Sequence, residues 1–311
     1  MVLYILKRFF MMIITILIVA TLTFFLMHKI PGSPFDEERT SNPAIQENLE
    51  RFYKLDQPVS VQYVNYLKSI ATFDFGPSIK KPNETVNSLL ARGFPISLEL
   101  GLVTILVAII SGVILGTFAA LRHNGIIDYS AMTFAVIGIS VPNFVLATLL
   151  IQKVAVDWQL LPPATWSSPL HMILPTFALA TGPTAIIARL TRSSMLEVLT
   201  QDYIKMARAK GLSPFRIVTR HALRNALMPV VTIMGTMLAG ILTGTFVIEK
   251  ILAIPGMGKY FVDSINNRDY PVIMGTTVFY SAFLVFMLFL VDIVYGFLDP
   301  RIKLHKKEGD V

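Results

Sequence analysis

Five stretches of the chain are predominantly apolar over about twenty residues: Phe9 to Met27, Leu98 to Leu121, Tyr129 to Ile151, Leu227 to Ile248 and Val272 to Phe297. A helix rises about 1.5 Å per residue, so a stretch of this length crosses a hydrocarbon layer about 30 Å thick. Each therefore predicts a membrane-spanning helix. A shorter stretch, His171 to Ala188, is interrupted by Pro175, Thr181, Gly182 and Pro183. It is also read as a span, because without it the loops on either side would fall on opposite faces and break the charge pattern. The expectation is an all-α membrane protein with six spans, numbered one to six in chain order.

Polar positions between the spans divide by charge. Lys7 and Arg8 precede the first span, and Arg122 follows the second. The loop after span four holds Arg189, Arg192, Lys205, Arg208, Lys210, Arg216, Arg220 and Arg224 against only Glu197 and Asp202. Arg301, Lys303, Lys306 and Lys307 lie in the tail. Cytoplasmic loops carry the excess of Lys and Arg, so both termini face the cytoplasm. The first apolar run is too long for the core of a signal peptide, and no small-residue cleavage site follows "FFLMHKIPG"; an uncleaved first helix is expected.

The chain then divides into an N-terminus and first span (1–27), an extracytoplasmic loop subdomain (28–95), a five-span core (96–298) with a cytoplasmic loop at 191–226, and a cytoplasmic tail (299–311). In the external loop Ile45, Leu49, Phe52 and Tyr53 recur at helical spacing. Val61, Val64 and Leu67 begin a second amphipathic run after Pro58.

Composition narrows the chemistry. The chain is 54% hydrophobic and 15% charged, with a net charge of +7 and a mean hydropathy of +0.62. That excludes an ordinary soluble domain. It has no cysteine, which excludes disulfides and thiolate metal sites, and its five histidines have no pair at metal-ligand spacing. No catalytic constellation is found. "IPGMGKY" (Ile254 to Tyr260) contains Gly-x-Gly-Lys but fails as a phosphate loop, since Ala253 stands where the first glycine belongs and Tyr260 where Ser or Thr would hold magnesium. Glu99 and Asp292 are the carboxylates assigned to spans. Both lie within reach of an interface, which favours structural pairing over ion coupling.

Small and weakly polar residues remain. Gly112 with Gly116, and Gly240 with Gly244, have the Gly-x-x-x-Gly spacing that lets helices approach closely. Asn143, Met228, Thr232, Thr236 and Thr243 are the candidates for an uncharged pathway. Such threonines more often bond back to their own helix.

The segment "KMARAKGLSPFRIVTRHALRNALMP" (Lys205 to Pro229) carries its own punctuation. Gly211 suits a left-handed helix end, and Ser213-Pro214 suits an N-cap with proline in the first turn. Phe215, Val218 and Ala222 would share one face of the second helix. Nucleic-acid binding would want a separately folded basic domain, and none fits between spans four and five. Lipid headgroups could meet the arginines. A rigid knob presenting Ala207, Ala209 and Gly211 to a partner fits the turn best.

Ala207-x-x-x-Gly211 in this position resembles the coupling loop, or EAA motif, of ABC-importer permeases, although Lys205-Met206-Ala207 replaces Glu-Ala-Ala. "ARAKGLS" and "RHALRNALMP" resemble the oligopeptide, dipeptide and nickel branch. So do "LDQPVSVQYVNYL", "FDFG", "LLPP", "IPGMGKY" and "LDPR", which look like that branch's first permease subunit. The resemblance implies a type I ABC importer permease fold in a bacterial cytoplasmic membrane. It implies an ATPase contact through Asp202, Tyr203, Ala207, Arg208, Ala209, Lys210, Gly211, Leu212, Ser213 and Pro214. It also implies a second homologous permease, two cytoplasmic ATPase subunits carrying ATP and Mg, and an extracellular solute-binding protein. This chain itself would bind no cofactor and no nucleic acid. Oligopeptides are the expected cargo, with dipeptides, nickel or glutathione as alternatives in the family. A proton-coupled secondary transporter is the alternative from another class.

Overall fold

The computed structural model describes residues 2–29, 51, 55–81, 83–243 and 245–298. In chain order the helices are α1 (Val2–Lys29), α2 (Val59–Thr72), α3 (Val86–Leu121), α4 (Ile126–Ser140), α5 (Asn143–Leu150), α6 (Ile173–Leu199) and α7 (Asp202–Ala209). There follow α8 (Pro214–Arg216), α9 (Leu223–Ala226), α10 (Met228–Thr243), α11 (Phe246–Ile251), α12 (Met257–Asn266) and α13 (Tyr270–Leu298). Wide π turns at Ile151–Asp157 and Ile217–Ala222 extend α5 and join α8 to α9. Among the described residues there is no strand, only an isolated bridge between Pro77 and Thr85. Five helical segments are long and apolar enough to cross a membrane, or six if α4 and α5 form one bent span.

The chain separates into two compact units, Met1–Ser97 with Pro255–Val311, and Leu98–Ile254. In the first, α1 lies along α13. Phe9 meets the edge of Phe289 at 6.2 Å, and Arg8 pairs with Asp292 at 3.0 Å. Toward the other end of α1, Phe24 packs against the rings of Tyr63 and Tyr66 on α2, at 5.3 and 5.6 Å. Burial, with the Tyr63 phenol beside it, holds the Tyr66 phenol well above the usual tyrosine range. Asp269 accepts hydrogen bonds from the Ser78 hydroxyl and from the amides of Ile79 and Lys80, which fastens the external loop to the start of α13.

The second unit is built on α6. A Cβ at Gly112 would stand 2.7 Å from the Ile187 side chain, and one at Gly116 would strike the Ala188 carbonyl. On α4, a Cβ at Gly138 would lie 2.8 Å from Thr181. These contacts bring α3 and α4 against α6 at backbone distance, where only glycine fits. Pro183 sits inside α6 without ending it. Its pyrrolidine removes one backbone donor, and the buried alanines around it (Ala178, Ala180, Ala185 and Ala188) leave room for the ring.

Four expectations change. Span two's helix begins at Val86, well before Leu98. Span three is broken: α4 and the α5 segment are bent by 102° at Val141–Pro142, where extended Val141 and the missing proline amide stop the helix. Gly240 has nothing within 4 Å of its Cβ position, so the close approach expected there is not made, and Gly244 lies outside the described residues. The helix read from Val61, Val64 and Leu67 exists, but Val61 and Val64 are exposed, and its inward face carries Tyr63, Tyr66 and Ile70. Aromatic stacking on Phe24 sets that face. Ile45 and Leu49 of the neighbouring pattern, with Phe52 and Tyr53, lie outside the described residues.

Candidate functional site

The loop between α6 and α10 has the predicted helix–turn–helix form. At the end of α7 the Gly211 amide donates to the Arg208 carbonyl at 2.9 Å and the Leu212 amide to the Ala207 carbonyl at 3.3 Å. With Gly211 at φ +76° this is a Schellman closure, which satisfies two carbonyls that the helix end would otherwise leave unpaired. Pro214 then opens α8, although the Ser213 side chain makes no capping hydrogen bond.

The loop is anchored from inside. Ile204 and Ala207 are buried with Met195 of α6, Ala120 of α3, and Ile217, Ala222 and Ala226 beyond the turn. The Tyr203 hydroxyl accepts a hydrogen bond from the Asn225 amide at 2.7 Å. Ala207 therefore faces the loop's own core in this chain, not the outer surface on which the sequence analysis set it beside Ala209 and Gly211. Asp202, Arg208, Ala209, Lys210, Gly211, Ser213 and Pro214 are exposed, and Leu212 is half-buried. Asp202 pairs with Lys205 at 2.9 Å, an exposed i,i+3 contact worth little.

Two residues join the outer surface that sequence reasoning did not place there. Phe215 is 78% exposed and Met206 61% exposed. Phe215 was expected to share a face with Val218 and Ala222. The wide turn at Ile217–Ala222 adds a residue to the helical repeat, so the register shifts and Ile217 takes the inward position. The tip thus offers two large apolar side chains in a basic surround.

Three of the five candidate pathway residues fall on one exposed stripe. Met228, Thr232 and Thr236 are exposed at four-residue spacing along α10. Thr232 donates to the Met228 carbonyl at 3.0 Å and Thr236 to the Ile233 carbonyl at 2.9 Å. Their hydroxyls thus bond back to their own helix, leaving a weakly polar face. The Thr243 side chain lies outside the described residues. Asn143 is exposed at the break between α4 and α5.

The fifth apolar stretch was read as ending at Ile248, yet α10 and α11 together form the candidate crossing Met228–Ile251, and Glu249 is fully buried within it. Its carboxylate accepts the Thr245 hydroxyl at 2.5 Å. The glycine-rich stretch before α12 is committed to packing. The Met257 amide, which a phosphate would need, donates to the Ser97 hydroxyl at 2.9 Å, and a Cβ at Gly93 would meet the Met257 backbone at 2.9 Å. Among the described residues no group of three His, Asp or Glu could hold a metal.

Residues 112–304 match the family described as "Binding-protein-dependent transport system inner membrane component", and residues 1–101 match the corresponding N-terminal family. The chain belongs to this family. The dipeptide transport system permease protein DppB of Bacillus subtilis is 69% identical over 304 residues, covering 98% of this chain and 99% of that protein. The oligopeptide transport system permease protein OppB of Salmonella typhimurium is 44% identical over 302 residues, covering 96% and 99%. An inward-facing structure of the MetNI methionine ABC transporter has a chain that aligns with a TM-score of 0.55 at 20% identity, over 68% of this chain and 94% of that one. The fold is accordingly that of ABC importer permeases. Membership also makes this an integral membrane component of a larger transport system.

Proposed function

We propose that the chain is one permease subunit of an ATP-driven peptide importer in a bacterial cytoplasmic membrane, with both termini inside. The observation that carries this is the end-to-end likeness to the B. subtilis dipeptide permease, 69% identical across 98% of the chain. Short peptides are the cargo, with dipeptides placed ahead of the longer peptides that the sequence alone favoured, because the relative at 69% identity is named for dipeptides, while a second dipeptide permease and the oligopeptide permeases stand together at 41–44%. A second homologous permease completes the pathway, an external solute-binding protein delivers cargo, and two cytoplasmic ATPase subunits hold ATP and Mg.

The fold suits mechanical coupling. When the ATPases close, they displace α7 and the exposed tip around Phe215. Ile204 and Ala207 pass that displacement to Met195 of α6 and Ala120 of α3, since buried close-packed contacts do not compress. Spans three to five then re-orient, and the weakly polar α10 stripe lets a peptide pass without binding it tightly.

The test is peptide uptake in a host lacking its own peptide importers, supplied with this permease and its partner subunits. Labelled dipeptide should accumulate, and an ATPase subunit defective in hydrolysis should abolish accumulation. Uptake that persists with the dead ATPase overturns the reading.

A further inference from the structure

The start of α4 is bolted to α6 by a forked ion pair between Asp128 and Arg192. Asp128, whose side chain is 3% exposed, accepts Arg192 Nε on Oδ1 at 2.5 Å and Arg192 Nη2 on Oδ2 at 2.8 Å. The Asn124 amide donates to the same Oδ2 at 2.9 Å, and His123 Nδ1 stands 3.1 Å from it. The other close contact between α4 and α6 described above, Gly138 on Thr181, is van der Waals packing. Packed apolar surfaces can slide with little loss, whereas a two-point guanidinium–carboxylate fork fixes direction and distance at once.

Its position along α6 gives the pair a task. Arg192 lies one helical turn before Met195, the α6 residue that receives the buried side of α7. On α3, Ala120 belongs to that same cluster, and Asp128 follows it across the short turn. A push on α7 therefore reaches Arg192 before the far end of α6, and the fork is where α4 first meets the motion.

Resting on the proposed function, we infer that Asp128 and Arg192 are positioning residues that make span three move as one piece with α6 during each ATP-driven stroke. Their side chains are spent on each other, with Asp128 3% and Arg192 24% exposed. Without the fork, α6 would move and α4 would lag, so the ATPases would turn over without opening the pathway.

The experiment uses the complete transporter, with partner permease, ATPases and binding protein, in proteoliposomes, and reads peptide imported per ATP hydrolysed. Arg192→Ala and Asp128→Asn should lower this ratio by about tenfold, the size of coupling changes made away from a ligand site. ATP hydrolysis and the amount of chain in the membrane should be kept, and Arg192→Lys, which keeps one charged contact, should recover part of the ratio. An unchanged ratio in Arg192→Ala overturns the inference. So does a loss of the chain from the membrane shared by Asp128→Asn and Arg192→Lys, which would make the pair a folding element. A wild-type complex that hydrolyses ATP without importing peptide overturns the functional reading and the inference together. Coupled variants beside a coupled wild type overturn the inference alone.

Discussion

The Leu212 amide reaches back to the Ala207 carbonyl at 3.3 Å, so the chain folds over the end of α7 while Gly211 takes a left-handed conformation. Nothing lies within 4 Å of a Cβ at Gly211, so any effect of a side chain there is conformational and not steric. For a β-branched residue the left-handed backbone costs about 1–2 kcal/mol. Gly211→Val should therefore open the turn and lower peptide uptake, whereas Gly211→Asn, which tolerates that conformation, should stay closer to wild type. Parallel uptake and membrane-abundance measurements on the two variants check this ordering.

The inward Ala207 and the outward Phe215 should respond in opposite ways to the same aspartate. Ala207→Asp places a carboxylate among Ile204, Met195 and Ile217, and an unpaired buried charge destabilises strongly. The chain should be depleted from the membrane. Phe215→Asp puts its charge in water, so abundance should hold while uptake falls about tenfold or more, as expected for losing an exposed aromatic anchor. Immunoblots of membranes beside uptake rates separate the two.

Much of this was legible in the sequence. Runs of some twenty apolar residues have one physical solution in a bilayer, and Gly211 followed by Ser213-Pro214 has essentially one local geometry. Less legible was which way Ala207 points, because a small apolar side chain suits either a buried seam or a partner's groove. The wide turn at Ile217–Ala222 leaves no mark in the residue pattern, so Phe215 was put on the wrong face. Pro142 stood in plain sight, but the apolar run continues on both sides of it and hid a 102° break. Asp128 and Arg192 are 64 residues apart, and nothing local ties them.

Glycine spacing predicts helix contact only where a neighbour is present. Gly116→Val must move the Ala188 carbonyl or the Thr191 side chain, and overpacking of this kind costs about 1–3 kcal/mol. Gly240→Ala meets open space and replaces glycine by a better helix former. Thermal unfolding in detergent should show a lowered midpoint for Gly116→Val and none of that loss for Gly240→Ala.

Asp292 pairs with Arg8, whose side chain is 48% exposed, and a pair this open to solvent adds little stability. Asp292→Asn should leave ATP-driven uptake and its independence of a proton gradient intact. A loss of uptake that tracks the external pH would instead place Asp292 on a proton path.

Under the proposed function, ATP hydrolysis in partner subunits drives peptide movement through this chain. The most direct measurement is accumulation of a labelled dipeptide in proteoliposomes containing the assembled transporter, with ATP and without any ion gradient. Accumulation that requires ATP and survives a protonophore is the predicted result. Accumulation driven by an imposed proton gradient in the absence of ATP would overturn the proposed function.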